Sequence, residues 1–259
     1  MVGAQRTISD AVRDIVAGLP ESEEFVSHGS PTFRVRGKVF ATYTINHHGD
    51  GRVALNLVAP PGAQAFFTEA EPIAYFVPPY VGPKGWLGIE LDKGLDWDTI
   101  AEHVQTAYEA VAPPDLVDAI PQKRRIKPPT RKLRPEEIDP FKGKRGKAVL
   151  KKLQAICGVL PETQPGTQFG APVWKAGKKT FLSTHYHTGR LQLSFWVGAE
   201  RQDFLAGDDR YQISAYTGHN GWIDLDVEDH ADWQEVEQLA LESYRHFALK
   251  RMLKALDEA

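Results

Sequence analysis

A single cysteine, Cys157, in 259 residues excludes an intramolecular disulfide and a multi-cysteine zinc site. Long apolar runs are missing too. None approaches the ~20 residues of a membrane span, and the N-terminus lacks the charged-then-apolar pattern of a secretory leader. A cytoplasmic protein with no membrane contact is expected. Also absent are the patterns that announce catalysis: no Ser-His-Asp order, Gly-rich phosphate loop, Cys-His pair or HExxH helix. Cys157 itself falls in an apolar stretch with Leu153, Ile156 and Val159, a setting for an inert thiol. The expectation is a non-enzymatic protein without a cofactor or metal. What is present, 42% hydrophobic and 25% charged residues, is the composition of an ordinary globular chain.

The chain repeats itself. Leu19-Pro20-Glu21-Ser22 returns as Leu160-Pro161-Glu162-Thr163, and Gly29-Ser30-Pro31-Thr32-Phe33 as Gly170-Ala171-Pro172-Val173-Trp174, both 141 residues later. Tyr80 to Trp86 returns as Tyr216 to Trp222, Asp96-Trp97 as Asp232-Trp233, and Tyr108 as Tyr244, now at an offset of 136. Five residues are therefore lost between the copies, mostly near the hairpin around His47–Arg52. A period this long exceeds the roughly 20–50 residues of a solenoid repeat, so each copy is a whole domain. The expected division is a first domain over residues 1–120, a linker over 121–145 and a second domain over 146–259.

Charge is segregated among these segments. Residues 1–120 carry −8 and residues 153–259 carry −5, while 121–152 carry +10, hidden within a net charge of −3. Pro121, Pro128, Pro129, Pro135 and Pro140 interrupt helix through the basic segment, so 121–142 reads as an extended linker able to wrap over a domain surface. Such a cationic stretch suits nucleic acid or another anionic surface, or docks on its own acidic domains.

Apolar spacing predicts a helix over Ile8–Leu19, capped by Ser9 or Asp10. Strands are expected at Thr32–Val35, Lys38–Ile45, Val53–Val58, Ile73–Val77 and Trp86–Leu91, with a short helix near Gly62–Ala70 and a helix from Asp96 to Ala112. The second copy repeats the order: a helix about 146–157, strands near 173–176, 180–186, 190–197, 211–215 and 222–227, and a closing helix from 232 running on toward Leu256. Strands joined by short turns pair antiparallel, so each copy is an α+β sandwich: one curved antiparallel sheet with helices on one face. Trp86, Trp97, Trp222 and Trp233 are expected in the cores.

The run Ser27-His28-Gly29-Ser30-Pro31-Thr32-Phe33-Arg34-Val35-Arg36-Gly37-Lys38-Val39-Phe40-Ala41, with Gly85-Trp86, Leu95-Asp96-Trp97 and Tyr108, resembles the MmcQ/YjbR family over about residues 10–117. The second copy looks like a divergent member. It keeps Gly170, Pro172, Trp174, Gly177, Lys178, Phe181, Gly221-Trp222, Asp232-Trp233 and Tyr244, but has Phe169 for His28 and Asn220 for Lys84. The resemblance implies two tandem YjbR-like domains of a small fold related to that of frataxin and of secretion chaperones. It also implies the label of a double-wing DNA-binding fold, which in this family rests largely on fold similarity.

Arg34, Arg36 and Lys38 alternate along a strand and turn and share one face. With Lys84 on the loop Pro78–Gly85 they are candidate contacts to phosphates, as are Lys175, Lys178 and Lys179 in the second copy and the linker's Lys123, Arg124, Arg125, Lys127, Arg131 and Lys132. The bland alternative is a charged, solvated sheet edge. His28 reads as a turn residue. His185 and His187 share a strand face, but two ligands do not make a metal site, and Asp224, Asp226, Glu228 and Asp229 read as solvated carboxylates. The leading expectation is weak, largely sequence-independent binding of DNA or RNA. A chaperone-like adaptor for a protein partner is the first alternative. A small-molecule pocket between the sheet and the Pro78–Gly85 loop is the second.

Overall fold

The computed structural model describes residues 5–121, 125–187 and 189–258. The chain divides into two compact units, Met1–His47 with Gly51–Ile138, and His48–Asp50 with Asp139–Ala259.

The first unit runs α1 (Ile8–Val16), β1 (Ser22–Ser27), β2 (Ser30–Val35), β3 (Lys38–Ile45), β4 (Val53–Leu57), α2 (Ala63–Ala70), β5 (Tyr75–Phe76), β6 (Leu87–Glu90), α3 (Trp97–Glu109), then the short α4 (Pro114–Asp118) and α5 (Pro135–Ile138). The second runs α6 (Lys144–Gly158), β7 (Thr163–Gln168), β8 (Ala171–Ala176), β9 (Lys179–His187), β10 (Arg190–Trp196), α7 (Ala199–Leu205), β11 (Tyr211–Ile213), β12 (Trp222–Asp226), α8 (Trp233–Phe247) and α9 (Lys250–Asp257). Each holds one six-stranded antiparallel sheet, in the order β1-β2-β3-β4-β6-β5 and, strand for strand, β7-β8-β9-β10-β12-β11. The expected α+β class and tandem arrangement are both present.

Register places the cores. Phe33 pairs with Ala41, Tyr43 with Leu55, and Leu55 with Ile89, so one face is apolar and packs under α1 and α3. In both copies the same position is bulged, at Phe33/Arg34 and at Trp174/Lys175. Beside the bulges Phe40 and Phe181 meet Tyr108 and Tyr244 edge-on, with ring centroids 5.5 and 5.4 Å apart. Such pairs are worth ~0.5–1.5 kcal/mol beyond their buried area.

Several expectations need correction. α1 is capped by Thr7, not by Ser9 or Asp10: Asp10 N–H donates to the Thr7 hydroxyl at 3.1 Å and Thr7 N–H donates to the Asp10 carboxylate at 2.8 Å, a reciprocal capping box. Strands β1 and β7 were not expected. The first is polar at four of its six residues, and the second contains Pro165 and Gly166, a composition tolerated because both lie at sheet edges. The five residues lost between copies divide between two loops. Ile45 and Val53 face each other across one hairpin as Tyr186 and Leu191 do across the other, which removes three residues there. The remaining two go between α7 and β11.

The closing helix is two helices. Ala248 turns to extended backbone (φ −66°, ψ 144°), and Arg245 then pairs with Asp257 at 2.7 Å. Twelve residues along one helix would be ~18 Å apart, so α9 folds back on α8, and Met252 is fully buried as a result. Among the tryptophans, Trp97 is 7% exposed but Trp86, Trp222 and Trp233 are half-buried. Trp222 stacks on Phe247 with ring centroids 5.7 Å apart, and Lys152 Nζ lies 4.6 Å over the Trp233 ring.

The basic segment is ordered on the first unit over its described part. Ile126 enters the core, 8% exposed, and its N–H donates to Asp98 Oδ1 at 3.0 Å. Arg6 clasps the strand that follows: its N–H donates to Thr130 Oγ1 and its Nε to the Lys127 carbonyl, each at 2.9 Å, while Thr130 N–H returns to the Arg6 carbonyl at 2.9 Å. Beyond Asp139 the chain belongs with the second unit. There Phe141 packs on Tyr186, ring centroids 5.1 Å apart, and a Cβ on Gly146 would overlap the backbone of Pro140 and Phe141.

Candidate functional site

The cations singled out from the sequence separate into paired and exposed sets. On β2, Arg34 stands opposite Glu23 of β1, bonds it through Nε at 2.8 Å and lies over the Phe25 ring at 4.9 Å. Arg36 and Gly37 both have positive φ (44° and 79°), the geometry of a type I′ hairpin turn. From that turn Arg36 reaches Glu21 at 2.9 and 3.1 Å and Asp115 at 3.3 Å. The pairing raises Arg36 above its ordinary range and lowers Glu21, in each case first through their hydrogen bond. In the connector Arg131 takes both oxygens of Glu137, at 2.7 and 2.8 Å, and that bond leads in holding the Glu137 carboxyl at about 2.

Lys38, Lys84, Arg125, Lys127, Lys132, Lys178 and Lys179 are exposed, and Lys175 is half-buried. Lys123 and Arg124 lie outside the described residues. Arg34, Arg36 and Lys38 are brought together at the β2–β3 turn. Lys84 shares that end of the sheet, but it precedes β6, which lies three strand spacings from β2 and two from β3, a separation of ~10–14 Å at ~4.8 Å per strand.

His28 occupies a left-handed turn position (φ 48°), and Phe169 does the same in the second copy (φ 50°). His185 and His187 do not join a third ligand; among the described residues no three His, Cys, Asp or Glu side chains gather as a metal site. His185 belongs instead to a polar cluster on the face of the second sheet away from its helices. Asp224, 6% exposed, accepts hydrogen bonds from Ser194 at 2.6 Å and from Ser214 on the same oxygen. His185 Nε2 lies 3.5 Å from its other oxygen and 3.0 Å from Gln192 Oε1. A serine, a histidine and an aspartate thus sit together: Ser194 Oγ also lies 3.4 Å from His185 Nδ1, and Ser194 is buried. Nearby, Arg190 takes Asp226 and Asp229, and Glu228 accepts from Leu191 N–H at 2.9 Å. The thiol of Cys157 is pushed up to about 12 by burial.

Two shallow grooves, of about 370 and 320 Å³, flank the Gly94-Leu95 loop of the first unit. Neither involves the Pro78–Gly85 loop, the place of the small-molecule alternative.

One feature escaped the sequence reading. Gln64 on α2 donates to the carbonyls of Gly82 and Trp86 at 2.9 and 2.5 Å. Gln202 on α7 donates to Gly218 and Trp222 at 2.8 and 2.7 Å. These bonds align α2 with α7 and make Phe66 equivalent to Phe204, Val77 to Ile213 and Tyr80 to Tyr216. All six are exposed: Phe66 65%, Phe204 83%, Val77 55%, Ile213 46%, Tyr80 68% and Tyr216 73%. Other exposed apolar residues are not repeated, since Val26 answers to Thr167 and Ile73 to Asp209. The signal was present in the duplication but becomes visible only once burial is known.

Among known proteins, the family model described as YjbR matches residues 17–110 and again 159–246. A crystal structure of a Deinococcus radiodurans protein bearing the DUF419 domain is 17% identical, with a TM-score of 0.38, over 49% of this chain and 97% of that one. No curated protein matches the chain.

Proposed function

The chain belongs to the YjbR family, as two copies of its domain in tandem, and from that premise we propose that it is a non-enzymatic adaptor that binds protein segments through apolar positions repeated in both domains. The observation carrying this reading is the exposure of Phe66 with Phe204 and of Val77 with Ile213. Core packing gives no reason to keep large apolar groups in water at the same place twice, whereas a binding surface does. The copies diverge elsewhere on their surfaces, as at His28 against Phe169 and Lys84 against Asn220.

Nucleic-acid binding is the competing reading. The exposed lysines support it, Lys38 and Lys179 opening equivalent strands. The engagement of Arg34, Arg36 and Arg131 by carboxylates of their own unit weighs against it, as does the acidity of both domains. Two experiments separate the readings. Selection of displayed short random peptides on the intact protein is expected to enrich apolar sequences, and Phe66→Ser with Phe204→Ser is expected to abolish the enrichment. A salt-titrated gel shift with single- and double-stranded DNA and RNA is expected to show no retardation. Retardation using about five cations, with log K falling against log salt at a slope near −4.5 from ~0.9 per phosphate, would replace the adaptor reading.

A further inference from the structure

We infer that the edge strands β5 and β11 are docking strands, each taking up an extended, basic-flanked apolar segment of a partner protein as a seventh strand. The inference rests on the adaptor reading and specifies how its surface works.

Backbone geometry carries it. Residues of an antiparallel strand turn their N–H and C=O alternately toward one neighbour and the other. In the first unit Glu90 N–H donates to the Ala74 carbonyl at 2.8 Å, and Tyr75 and Phe76 face Ile89 and Gly88. Ala74 and Phe76 therefore bond toward β6 and Tyr75 faces away from the sheet; the same alternation continued one residue past β5 turns Val77 outward. Tyr75 N–H is taken by the Glu71 carbonyl at 3.0 Å. The outward groups are then the Tyr75 carbonyl and both the N–H and the carbonyl of Val77.

The second unit repeats this arrangement. Asp226 N–H donates to Arg210 at 2.9 Å and Ser214 N–H to Trp222 at 3.3 Å, which turns Tyr211 and Ile213 outward. Tyr211 N–H goes to Asp208 at 2.9 Å. The same three groups remain: the Tyr211 carbonyl, and the N–H and carbonyl of Ile213. An extended chain supplies the complementary donor–acceptor–donor set, as in strand addition to other sheets.

Side chains single out these edges from the other two. β1 carries Glu23 and Glu24, and β7 carries Pro165, the charge and proline with which proteins block edge pairing. β5 leads instead into Val77, ahead of Pro78-Pro79, and β11 ends on Ile213, with no charged residue or proline within either strand. Val77 and Ile213 are held from behind, since a Cβ on Gly82 or Gly218 would overlap them. Phe66 and Phe204 stand on the helices that precede the edges. Exposed carboxylates lie close by in sequence, Glu69 and Glu71 in one copy and Asp203 and Asp209 in the other, so Lys or Arg at the ends of the partner segment is favoured over Asp or Glu.

The test uses the intact chain and peptides selected from a display library of short random sequences. Selected peptides are expected to alternate apolar residues between basic ends. N-methylation of the amides on one edge of a selected peptide should weaken binding about tenfold or more, a loss of ~1.4 kcal/mol or more. Methylation of the other edge should change it less than about twofold. Hydrogen exchange at the Val77 and Ile213 amides should slow on binding, and Val77→Lys with Ile213→Lys should remove binding without unfolding. Peptides that bind but ignore N-methylation, with exchange at Val77 and Ile213 unaltered, overturn strand addition and leave the adaptor reading standing. Failure to enrich any peptide overturns both.

Discussion

The hydroxyl of Tyr108 donates to the carbonyl oxygen of Pro20 at 2.8 Å, and Tyr244 makes the same bond to Pro161 at 2.8 Å. In each unit one phenol therefore ties the long helix over the sheet to the turn that leads into the edge strand, while its ring closes the core against Phe40 or Phe181.

Replacing Tyr108 or Tyr244 by Phe keeps the ring and removes the bond. Each change is expected to lower the stability of its own domain by about 1 kcal/mol, the usual net worth of such a bond. Denaturant unfolding followed domain by domain checks it, and a large loss in one domain with none in the other would contradict the equivalence.

Trp97→Ala is expected to cost roughly 3–5 kcal/mol, the range for a buried aromatic. Trp86→Ala, at a half-buried position, should cost about 1–2 kcal/mol. The comparison is read from unfolding midpoints of the first domain, and a larger loss at Trp86 would place the core elsewhere.

Asp224→Ala strips the acceptor from two buried hydroxyls, Ser194 and Ser214, and should cost the second domain about 1–3 kcal/mol. Asp224→Asn keeps an acceptor and should cost less. Equal losses for the two would show that the hydrogen bonds do not set the penalty.

Burial lowers His103 from its ordinary value; its Nε2 lies 2.9 Å from the Tyr75 hydroxyl and its ring meets Phe67. The unfolded chain therefore binds a proton before the folded one does. Stability of the first domain should fall as pH drops below about 6.5 and level off below the folded-state value. His103→Gln should flatten that dependence, and the imidazole resonance should titrate below the normal histidine range. A midpoint at or above that range would refute it.

Much of the fold was legible because its signals are local. Ile8, Val12, Ile15 and Val16 mark a helix by spacing alone, and Val53, Leu55 and Leu57 mark a strand by alternation. β1 and β7 were not legible, because Ser22, Glu23, Glu24 and Ser27 in one and Pro165 and Gly166 in the other do not read as strand, a composition that an edge burying little surface tolerates. The break at Ala248 carries no glycine or proline and is set by the burial of Met252 and by the Arg245–Asp257 pair, which are tertiary. The candidate site shows the same limit. Arg34, Arg36 and Arg131 look available as a string of letters, and only the fold brings Glu23, Glu21 and Glu137 to them. Phe66 and Phe204 look like core residues until their exposure is known.

The place of Ile126 has a consequence for synthesis. Chains leave the ribosome N-terminus first, and domains generally fold as units in that order. Ile126 seals the first core from beyond the last helix of its sheet, so that domain becomes complete only when the basic connector has emerged. α6 opens the second copy at Lys144, soon after. The connector therefore sets the order of events: the first sheet closes on its own strands before the lookalike strands β8 and β9 exist to compete for them. In refolding of the full-length chain all strands are present at once and this order is lost, so cross-paired, aggregated chains should be more frequent after refolding than after synthesis.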